Sequence, residues 1–128
     1  MGAVVLIADD DLDIIRFVAL NLRLEGFEVL AAHDGQDALD QALDVEPSLI
    51  LLDTVMPCMD GYEVCARLRD QRPDSPILVI MLTAKSLAAD RDKALAAGAD
   101  DWVTKPFDPG DLVAKVKHRL GVTAPDGG

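Results

Sequence analysis

The chain has 128 residues, enough for one domain with a full core and too few for two. Half of the residues are hydrophobic and 27% are charged, an ordinary globular balance, but the formal net charge is −11. That acid excess argues against direct nucleic-acid binding by this domain, and no apolar run approaches the roughly 18–20 residues of a membrane span.

Val4 to Ala8 is a β-rich run that ends in Asp9, Asp10 and Asp11. Residues 12–24 follow with Ile14, Phe17, Val18 and Leu22 at the spacing of an amphipathic helix, and Gly26 suits its stop. Phe27 to Ala32 reads as a second strand, closed by Asp34-Gly35. Asp37 to Val45 is helical, with Ala38, Leu39, Ala42 and Leu43 on one face. After Pro47, the third strand runs from Ser48 to Asp53 and is apolar until its last residue. Such a run reads as a strand buried on both faces, with the Asp53 carboxylate at its carboxyl end. Pro57 and Asp60-Gly61 mark a turn, and Gly61 to Gln71 is a helix with Val64 and Leu68 inward. Pro73 and Pro76 flank the next turn, Ile77 to Leu82 is the fourth strand, and Thr83 ends it.

Ser86 to Ala97 is a weaker helix whose inward candidates are Ala88, Ala94 and Ala97, with Leu87 and Leu95. Alanine buries little area, so this helix is expected to be held less firmly than its neighbours. Gly98 stops it, and Asp101 to Thr104 forms a short fifth strand before Lys105-Pro106. Asp108 as N-cap and Pro109 in the first turn open a final helix with Leu112, Val113, Val116 and Leu120 as its stripe. Residues 1–120 are thus expected to form one domain, with 121–128 a loose tail or a linker. Asp9 to Asp11 interrupt the N-terminal apolar run, which speaks against a signal peptide and for a cytoplasmic location. Cys58 and Cys65 are read as free thiols, without a zinc or disulfide role.

Five strand–helix repeats imply an α/β fold with a parallel, doubly wound sheet covered on both faces. The order 2-1-3-4-5 is the common one for five strands. In such a sheet the carboxyl ends of the strands lie side by side, so Asp9, Asp10, Asp53, Thr83 and Lys105 converge. Three carboxylates repel one another unless a cation sits among them. An all-oxygen set of few carboxylates suits Mg²⁺. Lys105 adds a point charge for a phosphoryl oxygen or, without one, for a carboxylate, and Thr83 adds a hydroxyl. Together these describe a phosphoryl-transfer site with a carboxylate nucleophile. No Gly-rich phosphate loop is present, so the phosphoryl group comes from outside the chain.

Asp9-Asp10, Leu52-Asp53, Met56-Pro57-Cys58-Met59-Asp60-Gly61, Leu82-Thr83-Ala84, Gly98-Ala99-Asp100-Asp101 and Lys105-Pro106-Phe107 resemble the receiver domain of two-component response regulators. The resemblance spans about residues 3–120 and implies a flavodoxin-like fold. It implies that Asp53 takes a phosphoryl group from a phosphohistidine of a sensor histidine kinase or phosphotransfer protein. It further implies that Asp10, Asp53 and the Val55 carbonyl ligate Mg²⁺, with Asp9 acting mainly through a water. Lys105 would hold a phosphoryl oxygen behind a cis Lys105–Pro106 bond. Thr83 would move inward to another, with the small Ala84 leaving room. Trp102 stands where the family usually has tyrosine or phenylalanine, whose rotamer follows the threonine. Arg91 with Asp111, and Asp101 with Lys115, look like cross-subunit pairs of the winged-helix branch, which dimerises through helix 4, strand 5 and helix 5. Ala96 departs from that branch, which has an acidic residue there to meet Lys117. Such a domain catalyses only its own phosphorylation and dephosphorylation and is not otherwise an enzyme.

Competing readings exist for several of these residues. Asp53 can be a plain loop cap, Trp102 a half-exposed strand aromatic, and Arg91, Asp100, Asp101, Asp111, Lys115, Lys117 and Arg119 solvated charge. Asp11 and Asp13 favour a helix N-terminus, His33 and His118 read as surface residues, and Met56 and Met59 as filling. A haloacid-dehalogenase-type phosphatase needs a second Asp two residues after the nucleophile, where this chain has Val55. A degenerate receiver that only binds a partner is the remaining alternative, and the complete set Asp10, Asp53, Thr83 and Lys105 argues against it.

Overall fold

The computed structural model describes residues 3–84 and 88–121. Strands and helices alternate throughout: β1 (Val4–Ala8), α1 (Leu12–Leu24), β2 (Glu28–Ala32), α2 (Gly35–Val45), β3 (Leu49–Asp53), α3 (Gly61–Gln71), β4 (Leu78–Thr83), α4 (Ala88–Ala96), β5 (Asp101–Thr104) and α5 (Pro109–Leu120). The strands form one parallel sheet in the order β2-β1-β3-β4-β5, as expected for a doubly wound, flavodoxin-like fold.

The central strands are apolar along their length because both faces are covered. Alternate residues feed two cores. Leu6, Ala8, Ile50, Leu52, Val79 and Met81 pack with residues of α2, α3 and α4, including Leu39, Cys65 and Ala94. Val5, Ile7, Leu49, Leu51, Ile80 and Leu82 pack with α1 and α5 through Ile15, Val18, Leu22, Leu112 and Val116. This is the period-two division of a strand between two helix layers.

Part of the acid excess is local. Asp11, Asp34, Asp60 and Asp108 are the N-caps of α1, α2, α3 and α5, and each side chain accepts a backbone N–H of the first turn. Each such cap contributes about 1 kcal/mol. Asp34 starts α2 at Gly35, two residues before the expected start. Strand β2 begins at Glu28 because the Phe27 N–H is used to close α1, on the Leu22 carbonyl.

Two inward assignments change. Phe17 is 53% exposed, and the buried stripe of α1 is Ile15, Val18, Ala19 and Leu22, one position round from the expected face. Leu95 is 47% exposed, leaving Ala94 as the buried residue among the described side chains of α4. Ser86 and Leu87, assigned to that helix from sequence, and the tail beyond Gly121 lie outside the described residues.

A staple not visible in the sequence joins α3 to the segments that lead into β4 and β5. Arg69 of α3 donates to the Ile77 carbonyl at 2.7 Å, the Gly98 carbonyl at 3.0 Å and Asp100 at 3.0 Å. The same Asp100 oxygen accepts the Val79 N–H at 2.8 Å. One side chain thereby ties α3 to the entry of β4 and the exit of α4.

Candidate functional site

Strand register sets the site. Ala8 pairs with Leu52, which brings Asp9 level with Asp53, and Asp53 pairs with Leu82. Thr83 pairs with Thr104, so Lys105 emerges beside these ends. The Lys105 N–H bonds the Thr83 carbonyl at 2.7 Å, and Lys105–Pro106 is cis.

Asp9 is fully buried and Asp53 is 6% exposed. The Lys105 ammonium reaches both, at 2.8 Å from Asp9 Oδ2 and 3.3 Å from Asp53 Oδ2. Asp9 Oδ1 accepts the Asp11 N–H at 2.9 Å, and Asp53 Oδ1 accepts the Val55 N–H at 3.3 Å. Asp10 is exposed, and one carboxylate oxygen each from Asp9, Asp10 and Asp53 lie within 4.8 Å of one another. One ammonium among three ionised carboxylates leaves an excess of negative charge that a divalent cation fits.

The electrostatics record that strain. Burial, and then the Asp9 charge, push the Asp53 carboxyl up to about 6, against the pull of the Val55 N–H and Lys105. For Lys105, burial works downward but is outweighed by the Asp9 hydrogen bond and the Asp53 charge, so its pKa is raised. The lysine therefore stays charged, while Asp53 is a carboxylate kept uncomfortable near neutral pH.

Loop geometry behind Asp53 depends on two glycines. A Cβ on Gly61 would stand 2.2 Å from the Asp53 carbonyl oxygen, and one on Gly35 would stand 1.8 Å from the Met59 carbonyl oxygen. The Gly61 N–H bonds the Thr54 carbonyl at 3.2 Å, drawing the start of α3 against the end of β3. Met56 and Met59 fill the space beneath, as expected.

Asp9, Asp10, Asp53 and Lys105 thus meet as the sequence predicts. Thr83 is buried at the end of β4. It lines one cavity with Thr54, Tyr62 and Lys93. Val55 projects a side chain that is 73% exposed. Trp102 is half-buried, and the Arg91 guanidinium lies 5.0 Å from its ring centre. Asp101 pairs within the chain, with Lys115 at 3.3 Å and Arg119 at 3.1 Å. Burial would raise the Asp101 pKa, but the Trp102 N–H, Arg119 and Lys115 together hold it below its ordinary value. Asp111 is exposed, with its N–H on Asp108, and Lys117 pairs with Glu25. Cys58 is exposed in a left-handed conformation (φ 72°), and Cys65 is buried.

Comparison with known proteins bears on the family of the whole chain. A family model described as the response regulator receiver domain matches residues 5–117. The chain is 42% identical over 128 residues to the alkaline phosphatase synthesis transcriptional regulatory protein PhoP of Bacillus subtilis; it is covered over 98% of its length and spans 52% of that relative. Among solved structures, the BeF3-activated receiver domain of DrrB superposes with a TM-score of 0.82 at 36% identity, covering 94% of this chain and 99% of that one. DrrB of Thermotoga maritima, an OmpR/PhoB homolog, gives a TM-score of 0.85 at 36% identity, over 94% of this chain and 54% of that one. Fold, strand-end residues and relatives all converge: the chain belongs to the response regulator receiver domain family of two-component systems.

Proposed function

We propose that Asp53 is the phosphoryl acceptor and that its donor is a phosphohistidine on a sensor histidine kinase or phosphotransfer protein. One observation carries the reading: a buried carboxylate ends the central strand beside two more carboxylates and within 3.3 Å of a lysine ammonium. An Asp53 carboxylate oxygen attacks phosphorus, the P–N bond of the phosphohistidine breaks, and its electron pair returns to the imidazole ring. Asp9, Asp10 and Asp53, with the Val55 carbonyl, are the groups that would hold Mg²⁺, which when bound neutralises charge on the phosphoryl oxygens. Lys105, already paired with Asp53, would turn its ammonium to a phosphoryl oxygen. Thr83 would supply a hydroxyl to another.

Access favours a macromolecular donor. A cavity of about 320 Å³ beside Lys105 is lined by Ile14, Phe17, Val18, Pro106 and Phe107 and opens next to the half-exposed Phe17 ring. The domain then acts by switching its α4–β5–α5 face, to control an output domain or partner or to form a homodimer involving Arg91, Asp101, Asp111 and Lys115. Since Asp101 is already paired within the chain, a dimer would exchange those contacts for equivalent ones. No helix among the described residues is long and apolar enough to cross a membrane, and we place the domain in the cytoplasm. Turnover is confined to its own aspartyl phosphate. A module that only binds a partner needs none of the charge gathered at Asp53.

Acetyl phosphate with Mg²⁺ tests the reading. Intact mass should rise by about 80 Da, one phosphoryl unit on a carboxylate, and Asp53→Asn should abolish the gain. An undiminished adduct in the variant refutes the assignment.

A further inference from the structure

Among the described strands, β2 and β5 lie at the ends of the sheet and pair on one side only. On β2 the open side can be assigned residue by residue. The Glu28 N–H bonds the Ala3 carbonyl, and the Ala32 carbonyl accepts the Asp9 N–H. The backbone groups of Glu28 and Ala32, and with them those of Leu30, therefore turn toward β1. Backbone direction alternates along a strand, so the N–H and carbonyl of Val29 and Ala31 face outward. Such a row is a template for another strand. The usual protections are missing from β2 itself: Glu28-Val29-Leu30-Ala31-Ala32 is apolar after its first residue and holds no proline or lysine.

Protection comes from the flanking helices instead. Arg23 Nη2, near the end of α1, donates to the Val29 carbonyl at 3.4 Å. Gln41 Nε2, on α2, donates to the Ala31 carbonyl at 2.9 Å. The same nitrogen donates to Asp37 Oδ2 at 3.1 Å, which orients the amide. Helices α1 and α2 cover opposite faces of the sheet. One side chain thus reaches round the edge from each face, and both outward carbonyls of β2 are covered. Strand β5 is treated the same way: Asp101 Oδ1 accepts the Trp102 N–H at 2.8 Å, and the Lys115 ammonium donates to the Trp102 carbonyl at 3.2 Å.

We propose that Arg23 and Gln41 keep the β2 edge closed to a second copy of this chain. Without them the edge is self-complementary. Two β2 strands running antiparallel about a dyad set Leu30 opposite its counterpart in the other copy. Val29 of each copy then lies opposite Ala31 of the other, and each such pair exchanges both its N–H···O bonds. Every acceptor of that ladder is a carbonyl that Arg23 or Gln41 now holds. The net charge of −11 adds repulsion between copies, so the caps matter most when salt screens it. No group at the carboxyl edge around Asp53 takes part, so the proposal stands apart from the phosphoryl-acceptor reading.

The test compares wild type with an open variant, Arg23→Ala with Gln41→Ala, and with a control pair, Arg16→Ala with Gln36→Ala. The control draws the same residue types from the same two helices; Arg16 is exposed, and Gln36 donates to Asp40 rather than to β2. Alanine is the best helix former, so neither pair endangers folding. All are studied unphosphorylated, in chelator and about 1 M salt, where the screening length is about 3 Å. In sedimentation equilibrium the mass of the open variant should rise with concentration toward about twice that of one chain, while wild type and control stay at one. Amide exchange separates pairing from unfolding. In the open variant the Val29 and Ala31 N–H groups should slow by about fivefold or more as concentration rises, because pairing covers them and unfolding would bare them. Leu30→Cys, with Cys58→Ser to remove the exposed thiol, should cross-link the open variant at position 30 under mild oxidation, since facing Cβ atoms stand about 4.5–5.5 Å apart in such a pair. With Arg23 and Gln41 in place the same change should not cross-link. An open variant that keeps the mass of one chain, or that associates with Val29 and Ala31 exchanging as fast as before, overturns the proposal. Cross-linking at position 30 that is as ready with the caps as without them does so too.

Discussion

Neutralising Asp53 should stabilise the metal-free protein, and by an amount that depends on pH. The folded-state pKa of about 6 stands about two units above the ordinary 3.8. At 1.36 kcal/mol per unit, that difference is worth about 3 kcal/mol. The sign follows from the direction. A raised pKa means the folded state holds the proton more tightly than the unfolded chain. The resulting stability is fully present below about pH 4 and is lost as pH rises through about 6. At pH 7.5 the ionised carboxylate therefore works against folding. Asp53→Asn removes that cost, so the variant should exceed wild type by about 2–3 kcal/mol at pH 7.5, or about 10 °C in Tm for a domain of this size. The gap should close as pH falls toward 4. Urea or thermal denaturation by circular dichroism, in chelator, across pH 4–8, measures it. Millimolar Mg²⁺ should then favour wild type, because the ion binds the ionised set. An advantage that is flat in pH, or a variant less stable at pH 7.5, would refute the reasoning that burial and the Asp9 charge dominate this carboxyl.

Lys105→Met leaves the fully buried Asp9 without its ammonium. It should cost about 3 kcal/mol at neutral pH by urea denaturation, partly restored by Mg²⁺. Gly61→Ala must displace backbone, since its Cβ would stand 2.2 Å from the Asp53 carbonyl, whereas a Cβ on Gly26 meets nothing within 4 Å. The urea midpoint should therefore fall clearly further for Gly61→Ala than for Gly26→Ala, whose cost is the about 1 kcal/mol of left-handed backbone alone. Arg69→Met strips three carbonyl and carboxylate partners at once. We expect a loss of about 2–4 kcal/mol and faster amide exchange at Val79, whose acceptor Asp100 loses its cation.

How far a sequence speaks for itself differs between parts of this chain. The alternation of apolar runs and helical stripes carried the five repeats. The acids at the ends of the first and third runs, with Lys105 after the fifth, carried the site. Those signals are local, because a doubly wound sheet converts position along a strand into position along an edge. Phe17 illustrates the limit: 14/17/18/22 and 15/18/19/22 are faces one residue apart on the same helix, and only the neighbours β2 and α5 choose between them. Leu95 is exposed for a related reason, since its neighbour Ala94 is the residue that α4 turns into the core.

Other features had no sequence signal strong enough to use. Asp60-Gly61 read as a turn, but the need for glycine comes from the Asp53 carbonyl, eight positions earlier in the chain. Asp100 looked like surface charge until Arg69, 31 residues away, met it. By itself the sequence determined the class of fold, the edge where the chemistry gathers and the carboxylate at its centre, because each is written in residue type at a strand end. Tertiary structure alone decided which charges pair, which glycine is obligatory and how α4 is held, because those depend on distances between segments that the chain brings together only on folding.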